Sequence, residues 1–262
     1  MQYDWDLGNN LADQAGCFSS DGEYFEAAHF LSKAIELRPK TALFYARRAR
    51  CYVKMKKWFL AEEDCRKAIE LNPHQAEAYM TLGHILRQYG ELEDAIQKLQ
   101  KGLDLSTRLR VGWRLIDQAT IEVYKARYQV WERDSAKPLS ELKILKNACL
   151  SALKEKNFEL NHIRSVDAVF EKAIKAYTPV EVPSFFTCPI TLSILRDPVI
   201  TKCGITYERA SLLQAVATLG QVDPTTRRPL GLEHLVSNLS LRQALEHYLN
   251  THGWAYNIPD DD

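Results

Sequence analysis

Apolar residues recur near the start of the chain at the three- and four-residue intervals of amphipathic helices, and this pattern repeats every 34 residues. The segments YFEAAHFLSKAIELRP (24–39) and WFLAEEDCRKAIELNP (58–73) share an alanine, the run KAIEL and a final proline in register. A third copy, ELEDAIQKLQKGLDLS (91–106), carries Ala95 and Gly102 at the matching positions. The period predicts three stacked pairs of helices.

Small residues occupy fixed positions in each period. The three sets, each spaced by 34 residues, are Ala15, Ala49 and Gly83; Ala27, Ala61 and Ala95; and Ala34, Ala68 and Gly102. Small side chains are needed where two helices approach closely, and Pro39 and Pro73 should end the second helix of a pair because the residue before proline avoids the α region. We expect helix pairs over about 8–41, 42–75 and 76–109, forming a curved groove that accepts an extended peptide.

Residues 110–178 keep the helical spacing of apolar residues but not the 34-residue period. Two helical runs predict a long hairpin, and Pro138 is expected to interrupt the first run. The hairpin either caps the repeats or forms the seam of a dimer. The following stretch YTPVEVPSF (177–185) contains two prolines and is typical of an extended linker.

The last 80 or so residues differ in kind, with short β-rich runs, a helix at about 208–219 and a terminal helix from about Leu239. Modules of this size are usually built around zinc, but the candidate ligands here include no CxxC pair. Those candidates are Cys188, Cys203, His234 and His247. We therefore expect no metal, and a fold held by polar side chains that find partners. The polar candidates are Asp197, Lys202, Glu208, Arg209, Asp223, Arg227 and Asn238.

Net charge, the distribution of cysteines and hydropathy limit the kinds of partner and compartment that we expect for this protein. Lys plus Arg is 34 and Asp plus Glu is 34, so no charge excess points to nucleic acid or an anionic membrane. The six cysteines are scattered, which favours reduced thiols. The start MQYDWDLGNN has no signal-peptide pattern, and no window has the length of apolar chain that a membrane span needs. We expect a protein of the cytoplasm or the nucleus that needs no cofactor.

The repeats resemble the tetratricopeptide repeat, and residues 183–256 resemble the U-box, a RING-like α+β fold that dispenses with zinc. The motifs that carry the second resemblance are CPIT, LRDPVIT, GITYER, DPTTRRPL and LVSNLSLRQAL, in that order. Repeats followed by a U-box are similar to the CHIP-type co-chaperone ubiquitin ligases. This resemblance implies a multidomain chain: an all-α repeat solenoid over 1–109, a helical hairpin over 110–178, the U-box, and an acidic tail over 257–262.

The resemblance also implies a chemistry. U-box ligases have no nucleophile of their own; they hold the thioester of a charged ubiquitin-conjugating enzyme for attack by a substrate lysine. By motif match, Ile190 and Leu192 form the apolar patch that docks this enzyme, Pro224 lies on the facing loop, and Arg227 is the cation that promotes transfer. The alternatives are that Ile190 is a core residue and that Arg227 forms a structural salt bridge with Asp223.

A rival hypothesis is a ligase that carries ubiquitin on a cysteine of its own. A catalytic thiolate needs a pKa lowered by a nearby cation or a helix N-terminus. Of Cys188 and Cys203, only the latter has an adjacent cation, Lys202. A single adjacent lysine is weak support for a lowered pKa, so we expect no catalytic cysteine.

The repeats depart from the CHIP-type pattern, in which a clamp of Lys, Asn, Asn, Lys and a further Arg or aromatic binds the acidic C-terminal tail of heat-shock chaperones. The matching positions here are Ala12, Gly16, Arg47, Glu77 and Thr81. Only Arg47 could bind a carboxylate, and Glu77 would repel one. This puts in doubt the usual mode of binding to the seventy- and ninety-kilodalton heat-shock chaperones.

A basic run offers another way to bind an acidic peptide. The segment ARRARCYVKMKKW (46–58) has six basic residues and no acidic one. Its members on one helical face, with two neighbours on the next first helix, are Arg47, Arg50, Lys54, His84 and Arg87. We hypothesise a basic stripe in the groove that accepts an acidic peptide through arginine forks. The alternative is a solvated charged face.

Three hypotheses for the whole chain follow. The first is a homodimeric U-box ubiquitin ligase of protein quality control, which transfers ubiquitin to chaperone-bound or misfolded proteins. The second is a U-box ligase whose repeats recruit a non-chaperone partner. The third is a non-catalytic scaffold with an inactive U-box, which the loss of Ile190 or Arg227 would have favoured.

Overall fold

The computed structural model describes residues 2–109 and 112–258, and it divides into two compact units, Met1–Ala126 and Arg127–Asp262. The first unit contains the three predicted helix pairs. Their bounds are α1 (Gln2–Ser20) and α2 (Tyr24–Leu37), α3 (Ala42–Lys54) and α4 (Trp58–Leu71), and α5 (Ala76–Tyr89) and α6 (Leu92–Arg108). The first helix begins ahead of the start expected at about residue 8.

The small residues of the repeat lie at close helix contacts, as predicted. All seven alanines of the three sets are buried. A Cβ atom on Gly83 of α5 would lie 2.5 Å from Cγ of Leu99, and one on Gly102 of α6 would lie 2.7 Å from Cγ of Met80. Helices α5 and α6 therefore approach too closely to admit a larger side chain at either glycine.

The helix ends also follow the sequence signals. Helices α2 and α4 end two residues before Pro39 and Pro73, as expected. Gly90 ends α5 in the left-handed region, with φ of 82°, a conformation that costs a glycine little. Beyond the third pair, Val123 and Ala126 pack against the buried Leu99, so the start of the next helix covers the last repeat.

Two helices, α7 (Trp113–Glu155) and α8 (Leu160–Lys175), form the middle of the chain. The expectation that Pro138 interrupts the first run is wrong, because α7 continues through it. The proline is only partly buried, and the carbonyl that it leaves without a helical partner belongs to the exposed Asp134, so this carbonyl can be hydrated. Helical turns on both sides then maintain the helix cooperatively.

The region after residue 183 is a small α+β module with a three-stranded antiparallel sheet in the order β2–β1–β3. The strands are β1 (Pro198–Ile200), β2 (Thr206–Glu208) and β3 (Val236–Ser237), and the helices are α9 (Arg209–Leu219) and α10 (Leu239–Thr251). Short 3₁₀ turns lie at Ser184–Phe186, Leu232–His234 and Gly253–Tyr256. The fully buried side chains at its centre include Leu195, Val199, Tyr207, Leu212 and Leu249. Of the predicted acidic tail, residues 259–262 lie outside the described part of the chain.

None of the helices in the described part of the chain is both long enough and apolar enough to cross a membrane.

Candidate functional site

The loop that carries Ile190 and Leu192 is a tight turn on the module's surface. Its ends are closed by the amide of Leu192, which donates to the carbonyl of Cys188 at 2.8 Å, and by the amide of Cys188, which donates to the carbonyl of Ser193 at 2.8 Å. Ile190 is 36% exposed and Leu192 is 79% exposed. Leu192 has a φ of 58°, a conformation that costs a non-glycine residue on the order of 1 kcal/mol. The turn thus holds a large apolar side chain in water in a strained conformation.

A second loop carries Pro224 and Arg227. An antiparallel bridge between Val222 and Pro229 closes it, and the amide of Arg227 donates to the carbonyl of Asp223 at 2.9 Å. Arg227 has a φ of 60°, and its side chain is exposed. Within residues 2–109 and 112–258 its guanidinium forms no ion pair, so the alternative salt bridge to Asp223 is not formed there.

The carboxylate of Asp223 points into the module instead. It is completely buried, and its Oδ1 accepts from the hydroxyl of Tyr207 at 2.9 Å and from the amides of Thr225 at 3.0 Å and Thr226 at 2.9 Å. Oδ2 accepts from the hydroxyl of Thr201 at 3.3 Å. Burial by itself would raise the pKa of Asp223, but the bonds from Thr226, Tyr207 and Thr225 hold it below its usual range. Burial, followed by the neighbouring carboxylate, raises the pKa of Tyr207.

A second polar cluster ties the strands to α9 and α10. The buried carboxylate of Glu208 accepts from the amide of Arg196 at 2.6 Å and from the amide of Asp197 at 3.1 Å. The carboxylate of Asp197 in turn accepts from Nε of Arg209 at 2.6 Å and from Arg242 of α10. These bonds connect three separate segments of the chain, residues 196–197, residues 208–209 and α10, through charged groups.

Sequence reasoning found part of these two clusters. Four of its seven polar candidates take part, namely Asp197, Glu208, Arg209 and Asp223, and a fifth, Asn238, caps α10 by accepting from the amide of Leu241. Lys202 and Arg227 lie exposed outside both clusters. Sequence reasoning missed Arg242, Tyr207 and Thr201, because their roles depend on contacts between distant parts of the chain. The motif GITYER, which contains Tyr207, was the signal that came closest to indicating one of them.

Strand β2 anchors both surface loops. The amide of Glu208 donates to Sγ of Cys188 at 3.3 Å, which fixes the base of the Ile190 loop. The preceding residue, Tyr207, bonds Asp223 at the base of the Arg227 loop. Two adjacent residues of one strand therefore hold the two segments on which the predicted docking and transfer residues lie.

The two cysteines of the module have structural surroundings. Cys188 is completely buried, and Cys203 is half-buried with its sulfur 3.5 Å from Oγ1 of Thr226. No three His, Cys, Asp or Glu side chains of the described residues are grouped to hold a metal ion. The geometry thus presents two exposed loops on a frame of hydrogen bonds.

The basic run 46–58 of the repeats is only partly available to a ligand. Arg48 is bound to Asp64 by two hydrogen bonds of 2.7 Å and 2.8 Å. In contrast, Arg47, Arg50 and Lys54 form no ion pair within the described residues, and the last two are exposed. Within the described residues, the cations of α3 that form no ion pair therefore lie on one face of that helix, and the exposed Lys56 and Lys57 follow its end.

The two predicted neighbours on α5 have an internal partner. Glu122 of α7 accepts from His84 Nδ1 at 2.8 Å and from Nε of Arg87 at 3.2 Å. Burial alone would raise the pKa of Glu122, but the bond and charge of His84 and the charge of Arg87 hold it below the usual range. Both side chains are thus bound by the helix that covers the last repeat.

The positions that match the chaperone-tail clamp hold few groups that could bind a carboxylate. Ala12 is 2% exposed, and Gly16 offers no side chain. Oε2 of Glu77 is buried and has no hydrogen-bond partner among the described residues. Arg47 and Thr81 are half-buried. Of the five positions, only Arg47 supplies a cation.

Comparison with known proteins gives two family matches. The U-box domain model matches residues 182–254, and a tetratricopeptide repeat model matches residues 65–97. The E3 ubiquitin-protein ligase CHIP of Arabidopsis thaliana is 34% identical in an alignment 262 positions long, which covers 94% of this chain and 94% of that protein. The E3 ubiquitin-protein ligase PUB24 of the same plant is 39% identical over 70 residues, 26% of this chain and 15% of that protein.

Among solved structures, the first tetratricopeptide repeat domain of human RPAP3 matches 50% of this chain and 97% of that domain. The two share 24% sequence identity, with a TM-score of 0.44.

Proposed function

This chain belongs to the CHIP family of U-box E3 ubiquitin-protein ligases, and on that premise we propose which residues dock the conjugating enzyme, promote transfer and recruit the substrate. The observation that carries the proposal is the pair of exposed loops anchored on β2, one with Ile190 and Leu192 and the other with Pro224 and Arg227. Apolar residues of the first loop and Pro224 dock the charged conjugating enzyme, and Arg227 acts on the bound thioester complex.

Exposure and strain support the docking role of the first loop. Leu192 is 79% exposed at positive φ, so its side chain gains no packing that offsets the backbone strain. Strain of this kind persists where the surrounding structure enforces it, and the two hydrogen bonds of the turn do so. An apolar cluster held in water on a small module is typical of an interface.

The surroundings of Arg227 support its role in transfer. Its guanidinium is exposed and free of ion pairs within the described residues, so its fork of donors is available to an incoming complex. A fixed cation next to the thioester favours the conformation and charge that develop during attack by lysine. Since the ligase supplies no nucleophile, positioning of this kind is its main chemical contribution.

A reconstituted ubiquitination assay tests the U-box assignment. Purified protein with a panel of conjugating enzymes should form ubiquitin chains, and Ile190→Ala should abolish them without changing the melting temperature. Leu239→Ala removes an equally large exposed side chain elsewhere in the module and should remain active. Absence of chains with every conjugating enzyme would contradict ligase activity and favour the scaffold hypothesis.

The repeats are proposed to bind an acidic peptide through Arg47, Arg50 and Lys54. These residues lie at +3 and +4 spacing on α3 and have no internal partner among the described residues. An arginine can donate two parallel hydrogen bonds to one carboxylate. The arginines of α3 can therefore replace the Asn and Lys residues of the clamp that this chain lacks. Acidic chaperone tails are the first ligand class to test, which would make chaperone-bound or misfolded proteins the substrates.

Two observations favour the second candidate, a partner other than a chaperone. Ala12 is buried where a clamp residue would contact the ligand. The buried oxygen of Glu77 needs a hydrogen-bond donor, whereas a terminal carboxylate offers only acceptors. A suitable peptide would donate a hydrogen bond to the buried oxygen of Glu77 and place carboxylates next to the cations of α3.

Calorimetric titration with acidic C-terminal peptides of heat-shock chaperones distinguishes the two candidates. Micromolar binding that weakens with salt and with Arg47→Ala plus Arg50→Ala would support the chaperone-linked ligase. Lys67→Ala plus Lys101→Ala removes the same charge from other helices and should leave binding unchanged. No binding at millimolar peptide would exclude chaperone tails and leave the second candidate.

We also propose that the α7–α8 hairpin is the seam of a homodimer. Helix α8 has no buried residue, and large apolar side chains of the hairpin are exposed. They are Ile144, Leu145, Phe158, Leu160 and Val169. A second copy of the hairpin would cover this surface. Light scattering should give a dimer for the native protein and a monomer for Ile144→Asp plus Val169→Asp; a native monomer would contradict the seam.

A further inference from the structure

We propose that Tyr207 is a positioning residue for ubiquitin transfer, because its buried hydroxyl fixes the loop that presents Arg227. The inference rests on the proposed role of Arg227. It assigns to a residue inside the module an effect on the rate of transfer that goes beyond stabilising the fold.

A single oxygen atom organises the loop. Oδ1 of Asp223 accepts from the amides of Thr225 and Thr226 and from the hydroxyl of Tyr207, all at 2.9–3.0 Å. The first two bonds shape the loop backbone around the carboxylate. The third connects that carboxylate to strand β2, and it is shorter than the 3.3 Å bond that Oδ2 accepts from Thr201 at the end of β1.

Tyr207 is suited to be this anchor. Its side chain is completely buried, and its backbone pairs with Val199 in the sheet. The hydroxyl also lies 2.8 Å from Oγ1 of Thr225. A carboxylate can only accept, so the phenol donates its proton to Asp223 and its oxygen is left to accept from Thr225. One hydroxyl therefore contacts the loop at two points.

The chain of bonds ends at Arg227. The carbonyl of Asp223 accepts from the amide of Arg227 at 2.9 Å, and Arg227 has a φ of 60°. A non-glycine residue leaves this conformation when the bonds that enforce it are weakened. Without the phenol hydroxyl, the carboxylate can turn and the loop can relax, so fewer molecules aim the guanidinium at the bound complex.

This predicts a separation of transfer from docking. The Ile190 loop is held by the hydrogen bond from the amide of Glu208 to Sγ of Cys188, so its position does not depend on the hydroxyl of Tyr207. Preorganised charge acts on the rate of the chemical step, whereas docking sets the concentration at which the enzyme saturates. Loss of the hydroxyl should therefore lower the maximal rate and leave the half-saturating concentration unchanged.

The test is single-turnover discharge of ubiquitin from a charged conjugating enzyme to free lysine, over a range of ligase concentrations. Tyr207→Phe should lower the maximal rate about 3- to 10-fold at unchanged half-saturation. Arg227→Ala should also lower it, and the double variant should be no slower than Arg227→Ala alone. Amide exchange of Thr225 and Thr226 should accelerate in Tyr207→Phe.

A matched control removes a bond from the same carboxylate. Thr201→Val deletes the bond to Oδ2, which does not contact the loop, and should discharge within about twofold of the native rate. Additive losses in the double variant, or equal losses in Thr201→Val and Tyr207→Phe, would overturn the positioning role and indicate general destabilisation. Native discharge by Arg227→Ala would instead refute the proposed role of Arg227 itself, and the inference with it.

Discussion

The repeats and the U-box each bury a modest core, but they do so with different contacts. In the repeats, helices approach through alanine and glycine at fixed positions, and the buried charge of Asp64 has a single arginine partner. In the U-box the strands are two or three residues long, and the buried carboxylates of Glu208 and Asp223 accept hydrogen bonds from other segments of the module. Shape specifies the first region, and hydrogen bonds to buried carboxylates specify the second.

This difference bears on how each region functions. A groove built on buried small residues leaves its surface side chains free to vary, so the clamp positions can hold Gly16 and Glu77 without loss of the fold. A module held by bonds that reach its surface loops has less freedom, because the same bonds position Ile190 and Arg227. Substitutions that disturb each kind of contact should therefore affect one region and spare the other.

The largest effect should come from overfilling a repeat contact. Gly83→Val places a Cβ atom 2.5 Å from Cγ of Leu99 and 3.0 Å from the carbonyl oxygen of Ala95, so the two helices must separate. We expect a loss of about 3 kcal/mol in the free energy of unfolding of the first unit. Denaturant titration with segment-resolved hydrogen exchange would measure it and show an unchanged U-box.

The control for this substitution is Gln88→Val, which adds the same side chain at an exposed position of the same helix. It should change the free energy of unfolding by less than about 0.5 kcal/mol. Equal losses in the two variants would mean that valine in the helix, and not the close contact, is responsible.

A smaller effect should follow from a change of one polar atom in the U-box. Glu208→Gln keeps the side-chain shape but removes the negative charge and replaces one of the two acceptor oxygens by an NH2 group, which weakens the bonds from the amides of Arg196 and Asp197. We expect the U-box to lose about 2 kcal/mol of stability while the repeats keep theirs. Glu233→Gln, the same change at an exposed site, should have no measurable effect on the melting curve.

The contrast explains what the sequence could and could not predict. Small residues spaced by 34 positions predicted the helix pairs, because the constraint at Ala27 is repeated at Ala61 and Ala95. The bond from Arg242 to Asp197 spans 45 positions with no repeating pattern, so no local signal indicated it. His84 and Arg87 are close in sequence on one helix, so their grouping was expected. Their partner Glu122 lies 38 and 35 positions further along the chain, outside the repeats, so it was not expected. Continuity of α7 through Pro138 depends on hydration and flanking turns, which composition does not reveal.

The ion pair that joins α7 to the repeats should make the stability of the first unit depend on pH. Because the pKa of Glu122 is lower in the folded chain than in the unfolded one, its contribution is complete above about pH 4.3 and is lost as the pH falls through the folded value. We expect the first unit to lose about 1 kcal/mol over this range. In Glu122→Gln that part of the pH dependence should disappear, whereas Glu26→Gln, at an exposed site, should retain it.

The smallest expected effect concerns the thiol nearest the transfer loop. Cys203 is half-buried and accepts a weak bond from Oγ1 of Thr226 at 3.5 Å, a contact that a serine hydroxyl can also make. Because the family transfers ubiquitin without a cysteine of the ligase, Cys203→Ser should discharge the conjugating enzyme at a rate within about twofold of the native protein. A loss of activity in a folded variant would mean that this thiol carries ubiquitin, and that the U-box does more than position its partners.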